Sequence, residues 1–345
     1  MRKIAFILGL ILLAQAVIAQ EEVEVAESVF EEVMEVTPAA EQQSGVISKN
    51  GLVLQVSTLP EAKLIFNQNF IFPVLQGEGG LTSGNNLRLK LSAEITPVGF
   101  NGIFETILTP IAFLEFAVGG RASVGWPFDL LNVVGTGLNQ PVEDTQGLYS
   151  GGAKVEEYNG GAFDALMYKA WAGGTFQFDL AAVIPGDWNH IVMQTYHEIN
   201  YQANTSAMEG EGWYFEADSG ENCNGLNYYG SIVLGYQMPL SPVLKMVAFM
   251  VEMDKYLYNT PGRTVWGDDL IRWHVSNILQ FQVSEKFGFG IITQFRTMRN
   301  FTNFDLGYAK RNDINKMHYQ SRILDTDNPL RFEFYRVAGL FSFSL

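Results

Sequence analysis

Few side chains in this chain can do covalent chemistry, and their spacing does not favour it. The histidines are His190, His197, His274 and His318, and the one cysteine is Cys223. None of the histidines forms an H-E-x-x-H pair, and none stands at zinc-ligand spacing from a cysteine. His190 and His197 are seven apart, which puts them on opposite faces of an extended strand, so they cannot chelate together. Ser206 follows His197 in a loop, but nothing nearby supplies the third member of a hydrolytic constellation. The glycine-rich pieces GEGG at 77–80, SGG at 150–152 and NGG at 159–161 lack the lysine and the strand-to-helix setting of a phosphate loop. The residues therefore imply no metal, no cofactor and no catalysis, and a single cysteine excludes an intrachain disulfide.

The charged residues follow a different rule, which is alternation. In LIRWHVSNILQFQV, residues 270–283, Ile271, Trp273, Val275, Leu279, Phe281 and Val283 share one parity. Arg272, His274, Ser276, Gln280 and Gln282 share the other. The same period of two puts Arg88, Lys90 and Glu94 opposite Leu87, Leu89, Leu91, Ala93 and Ile95. It puts Lys169 and Asp179 opposite Tyr168, Ala170, Ala172, Phe176 and Phe178, and Glu198 opposite Ile199 and Tyr201. Glu252 and Asp254 oppose Val251 and Met253, Arg296 opposes Phe295, and Arg336 opposes Val337. Arg121 and Glu115 share a parity. Such alternation marks strands with one apolar and one polar face. The expected polar face is Arg88, Lys90, Glu94, Arg121, Lys169, Asp179, Glu198, Glu252, Asp254, Arg272, His274, Arg296 and Arg336. With both signs present, two uses follow: an interior of mutually satisfied ion pairs, or a narrow aqueous passage with opposed charge patches.

The elements that carry these faces are all strands. Twelve are expected, at 51–58, 62–72, 86–97, 101–109, 111–126, 163–183, 189–202, 228–238, 243–257, 268–282, 287–301 and 330–345. Pro97 and Pro110 cannot donate ladder hydrogen bonds, so each belongs in a turn or a bulge. Ten strands result if one proline sits in a bulge, and fourteen if MHYQSRIL in 302–329 adds more. After residue 162 the connections IPGDW, MPLSP and VSEK are short, whereas 127–162, 203–226, 258–268 and 302–329 are long.

The N-terminus reads MRKIAFILGLILLAQAVIAQ. Arg2 and Lys3 precede an apolar run and small residues, the pattern of a signal peptide over 1–19. Its removal takes the formal charge from −15 to −17, because two bases and no acids are lost. A chain this acidic repels phosphate backbones, which excludes nucleic acid as a partner. Residues 21–44 hold eight acids and no base, and 20–50 is expected to be an acidic periplasmic segment that could also act as a plug. In the loop EGEGWYFEADSGEN, Trp213, Tyr214 and Phe215 among acids suggest an extracellular contact surface for a ligand.

Short turns alternating with long loops, and the terminal strand VAGLFSFSL, resemble the Gram-negative outer-membrane β-barrel superfamily over about 51–345. In that strand Val337, Gly339, Phe341, Phe343 and Leu345 share a parity, although the family's assembly signal usually ends in Phe where this chain has Leu345. The resemblance implies an all-β, closed antiparallel transmembrane β-barrel, with membrane lipid and the outer-membrane assembly machinery as partners. It implies a bacterial outer-membrane location after export. Outer-membrane lipases resemble the chain in architecture, but no matching nucleophile motif is present. The expected function is a porin or channel for small polar solutes. The alternative is a non-conducting structural or adhesive barrel that binds a surface ligand through its loops, and a soluble exported binding protein comes third.

Overall fold

A computed structural model describes residues 45–58, 61–130, 133–136, 138–141, 158–159, 163, 165–207, 212–215, 222–237, 239, 241–257, 270–300 and 324–345. The expected signal peptide, the acidic arm at 21–44 and MHYQSRIL lie outside the described residues, apart from the final Leu324. Twelve strands close into one barrel: β1 (Ile47–Ser57), β2 (Glu61–Pro73), β3 (Asn86–Thr96), β4 (Gly99–Ile111), β5 (Leu114–Gly125), β6 (Met167–Asp179), β7 (Ile191–Asn204), β8 (Gly225–Gln237), β9 (Leu244–Tyr256), β10 (Arg272–Ser284), β11 (Phe287–Arg299) and β12 (Leu330–Ser344). Each strand pairs antiparallel with its sequence neighbour, and β1 closes on β12 through registers such as Leu52↔Phe343 and Val56↔Gly339. The first strand opens at Ile47, so the barrel takes in residues expected to precede it.

Alternation explains the closure. Leu91, Phe104, Val118, Phe176, Ile232 and Phe249 point outward and are exposed, and their strand neighbours on the other parity are buried or half-buried. A sheet with an apolar outer face must either pack on something or sit in lipid. In lipid it must also leave no unpaired edge, because no water is there to satisfy backbone groups. The two prolines resolve differently. Pro97 sits in the tight β3–β4 turn, where its carbonyl accepts from the Trp126 indole at 2.8 Å. Pro110 lies within β4 at a register irregularity between Leu108 and Ile111, a bulge that spares the ladder a missing donor.

Large interior side chains need small neighbours. Gly119 faces inward, and a β-carbon there would run into the Trp171 ring, whose Nε1 donates to Glu105 Oε1 at 2.8 Å. Gly173 is crowded the same way by Tyr196, with its hydroxyl 2.6 Å from where a β-carbon would stand. Gly119→Ala is expected to displace the indole and destabilise the barrel by about 1–3 kcal/mol, the usual cost of overpacking. The urea midpoint of the refolded protein checks this, and an unchanged midpoint would show that Trp171 has room to move.

The two ends differ. At the end bearing both termini, the β4–β5 and β10–β11 connections hold two residues each, and β6–β7 begins with a 3-10 turn at Leu180–Ala182 capped by Asp179. The opposite end carries the long connections after β5, β7, β9 and β11. The tight β1–β2 and β3–β4 turns also open on that end, so the long loops are gathered on the β5–β12 side of the mouth.

Candidate functional site

The candidate site is the enclosed face. Barrels of about eight strands are filled by side chains and those of about sixteen hold an aqueous channel. At twelve strands, the size of the inward side chains decides.

One charged cluster is centred on Glu94 of β3. Lys63 Nζ from β2 lies 3.1 Å from Glu94 Oε2, Asn101 Nδ2 from β4 donates to it at 3.0 Å, and Arg121 from β5 stands at 3.9 Å. Lys63, Glu94 and Arg121 are all buried. Nearby, Arg88 Nη2 reaches both oxygens of Glu115 at 3.0 and 2.9 Å, and Thr109 also donates to that carboxylate. Lys90 lies on the inner side of β3, opposite Asn69 and Glu105 in register.

A second cluster runs from β6 to β12. Glu198 accepts from the Tyr196 hydroxyl at 2.6 Å and from Asn200 at 2.8 Å, with Lys169 Nζ at 3.2 Å. Glu252 accepts from the Tyr229 hydroxyl at 2.8 Å. Arg336 Nε donates to Gln294 Oε1 at 2.7 Å. Arg272 is ion-paired with Asp254. Arg296 shares Glu333 with Arg331. His274 is buried, opposite Glu252 and Arg296 in register, with its ring 6.3 Å from Tyr335. Asp179 stands apart from these clusters. At the end of β6 it accepts from Ala181 N at 2.9 Å and meets His190 Nδ1 at 2.8 Å, so it holds the β6–β7 connection.

The enclosed face is not polar throughout. Val53, Ile65, Val233, Met246, Ala248, Met250, Ile278, Ile292, Ala338 and Leu340 form one buried apolar cluster inside the barrel. This explains a break in the alternation of residues 270–283, where Asn277 points out and Ile278 points in. With Met250, Gln294, Leu340 and Arg336 all at 0% exposure, side chains fill this part of the interior.

The loop-bearing mouth is covered on one side. Gly212–Phe215 pairs with Leu138–Pro141 of the β5–β6 connection, stitching two long loops together through Tyr214↔Asn139 and Phe215↔Leu138. The expected contact surface at Trp213 and Phe215 is therefore corrected: both are buried, in a cluster with Ala165 and Met167, and do not project outward. The physical reason is that two large rings gain more by packing inside the mouth than by facing water. Phe215 packs on the Arg121 guanidinium, 4.8 Å from the ring centroid. Asn224 fixes the segment, because its Oδ1 accepts from the Trp213 indole at 3.0 Å and its Nδ2 donates to the Asn204 and Ala207 carbonyls.

Several interior residues escape the expected set. Lys63, Asn67 and Asn69 alternate with Leu64, Phe66 and Phe70, so period two was there to find them, but Ile65 on the polar parity blurred it. Glu333, Arg331 and Tyr335 were hidden by a bulge. Gln294 pairs with Arg336, but Phe295 pairs with Phe334, so Tyr335 and Arg336 are both buried inside.

No protein-family model and no curated protein matches the chain. Among solved structures it is similar to a bacterial polysaccharide outer membrane secretin, at 6% identity and TM-score 0.33, covering 87% of this chain and 98% of that one. It is similar to the outer membrane channel DcaP of Acinetobacter baumannii, at 9% identity and TM-score 0.31, covering 89% and 100%. It is also similar to the Pseudomonas putida toluene transporter TodX, at 11% identity and TM-score 0.32, covering 96% and 95%. At these values the likeness carries no argument about activity.

Proposed function

We propose that this chain is an outer-membrane channel for small polar solutes, whose mouth is covered from one side in the described conformation by the inward-folded segment 212–215. Residues 1–19 are its signal peptide, and those from 20 up to the start of β1 at Ile47 are an acidic periplasmic segment. Lipid surrounds it, and the outer-membrane assembly machinery inserts it. The observation that carries the reading is the inner wall: charged side chains recur on successive strands around the barrel up to a mouth closed from one side by Trp213 and Phe215. Such charges are costly in a purely structural core, where apolar residues of similar volume serve as well or better.

The filled interior favours a second reading. The zero exposure of Met250 and Arg336 suits a non-conducting barrel that works through its long loops. Swelling of liposomes carrying the refolded protein separates the two. The channel reading expects slow uptake of small sugars by wild type and clearly faster uptake by the Trp213→Ala/Phe215→Ala variant. Liposomes as tight as protein-free ones with both proteins would support the filled barrel.

A further inference from the structure

The outer face of β9–β11 is apolar around one break. In register across the three strands, Val251, Val275 and Phe295 form one outward row, and Val247, Leu279 and Ile291 form another. Between them lies the row Phe249, Asn277 and Thr293. Asn277 is the sixth of the thirteen residues of β10 and is exposed, and Thr293 is the seventh of the thirteen of β11. Both therefore sit at the middle of their strands. The Asn277 carboxamide makes no hydrogen bond among the described residues. Other outward polar side chains are answered by their own neighbours on the sheet. His197 Nδ1 meets the Tyr228 hydroxyl at 2.7 Å, and Gln68 donates to Ser48 Oγ at 2.9 Å and to the Lys49 carbonyl at 3.0 Å. Thr297, further along β11, accepts from Trp273 N at 2.8 Å. Hydrocarbon supplies no hydrogen bonds, so an amide left alone at mid-bilayer is costly, and polar groups at that depth are met by another membrane segment.

The surroundings are shaped for contact. Toward the loop-bearing end, Phe295 stacks on Phe332 with ring centroids 5.7 Å apart. Toward the end bearing the termini, Phe281 stacks on Phe289 at 4.5 Å and Phe287 on Phe343 at 4.9 Å. The Asn277 row lies between these two aromatic ridges. It continues on β12 through Val337, opposite Thr293, with Gly339 next to it opposite Ile291. Smaller side chains between two ridges make a waist in which a second surface can seat closely. Whatever seats there must offer an amide both a donor and an acceptor. A second copy does so. A carboxamide carries N–H donors and a carbonyl acceptor, so it is complementary to itself. A two-fold axis beside Asn277 sets two such groups face to face with reciprocal hydrogen bonds. Acyl chains offer neither group, and lipid headgroups lie at the strand ends, not at the middle.

We propose that the outer face of β9–β11 is a two-fold contact between two copies of this barrel, centred on a reciprocal Asn277–Asn277 pair with Thr293 beside it. The aromatic ridges on either side of the waist pack against those of the second copy. The polar pair fixes where the two apolar faces meet, as a single buried Asn fixes register and oligomeric state in a coiled coil. The contact requires the outer face to lie in lipid and makes no use of an open lumen.

The full chain, refolded in neutrally buoyant detergent micelles, is sedimented to equilibrium over a range of protein-to-detergent ratios. The contact predicts reversible dimers. Asn277→Leu is expected to weaken dimerisation by roughly tenfold, as loss of two hydrogen bonds between membrane segments does. The same change is expected to raise the urea midpoint of the monomer, because an unanswered amide leaves the lipid face; a residue that only holds the barrel together would lower it. In vesicles, oxidation is expected to cross-link Cys223→Ser/Asn277→Cys into dimers and to leave Cys223→Ser/Val118→Cys, on β5 at the far side of the barrel, monomeric. Monomers at every ratio, or trimers, overturn the contact. Equal dimerisation of wild type and Asn277→Leu, or equal cross-linking at the two cysteines, does the same. A lipid or a different protein covering Asn277 gives the monomer result. Dimers without solute passage overturn the channel and leave the contact standing, and passage through strictly monomeric protein does the reverse.

Discussion

Glu94→Ala is expected to destabilise the barrel by about 3–5 kcal/mol, the range for removing one partner of a buried ion pair. The carboxylate lies between Lys63 at 3.1 Å and Arg121 at 3.9 Å, and all three side chains are 2% exposed or less. Its removal takes an anion from between two buried cations. Both cations are buried, and Arg121 also lies against Phe215 and donates to Ser123 at 3.0 Å. Pairing β2, β3, β4 and β5 in this register depends on that group, since Asn101 also donates to it. Urea unfolding in lipid vesicles measures the loss. Glu94→Gln should recover part of it by keeping the acceptor for Asn101, and a full-length variant as stable as wild type would show that the cations find other anions.

Val118→Arg is expected to cost about 2–4 kcal/mol, the penalty for a base on the lipid face at mid-bilayer. Val118 lies near the middle of β5, points outward and is 59% exposed. Its neighbour Ala117 points inward and is buried. The same change at Phe332, two residues past the opening Leu330 of β12, should cost only about 0–1 kcal/mol, because a long side chain there reaches the interface. This depth dependence separates lipid from water as the outer solvent. Equal and small losses at both positions, in folding measured by heat-modifiable mobility, would mean that the barrel exterior does not meet a membrane.

Strand number and facing were legible because period two is hard to produce by accident over eleven to fifteen residues. Arg88, Glu94, Lys169, Glu198 and Arg272 could be placed on the enclosed side for that reason alone. Parity failed where the backbone itself changes period. At Tyr335–Arg336 a bulge sends two consecutive residues inward, and nothing local in FEFYRVAG marks the position. Parity also says nothing about what fills a lumen. Ile65, Met250 and Ile278 look like noise on a polar face, yet together they make the apolar layer inside the barrel. The mouth was misread for a third reason. WYF among acids suggests a wet contact surface, but Gly212–Phe215 pairs with Leu138–Pro141, far away in the sequence, and Trp213 and Phe215 are buried.

Planar-bilayer recording of wild type beside the Trp213→Ala/Phe215→Ala variant tests the central claim most directly. The claim predicts discrete, reproducible current steps, brief in wild type and long-lived in the variant, because the rings that cover one side of the mouth have been removed. Silence from both proteins, with each shown by heat-modifiable mobility to be a folded barrel, would contradict it.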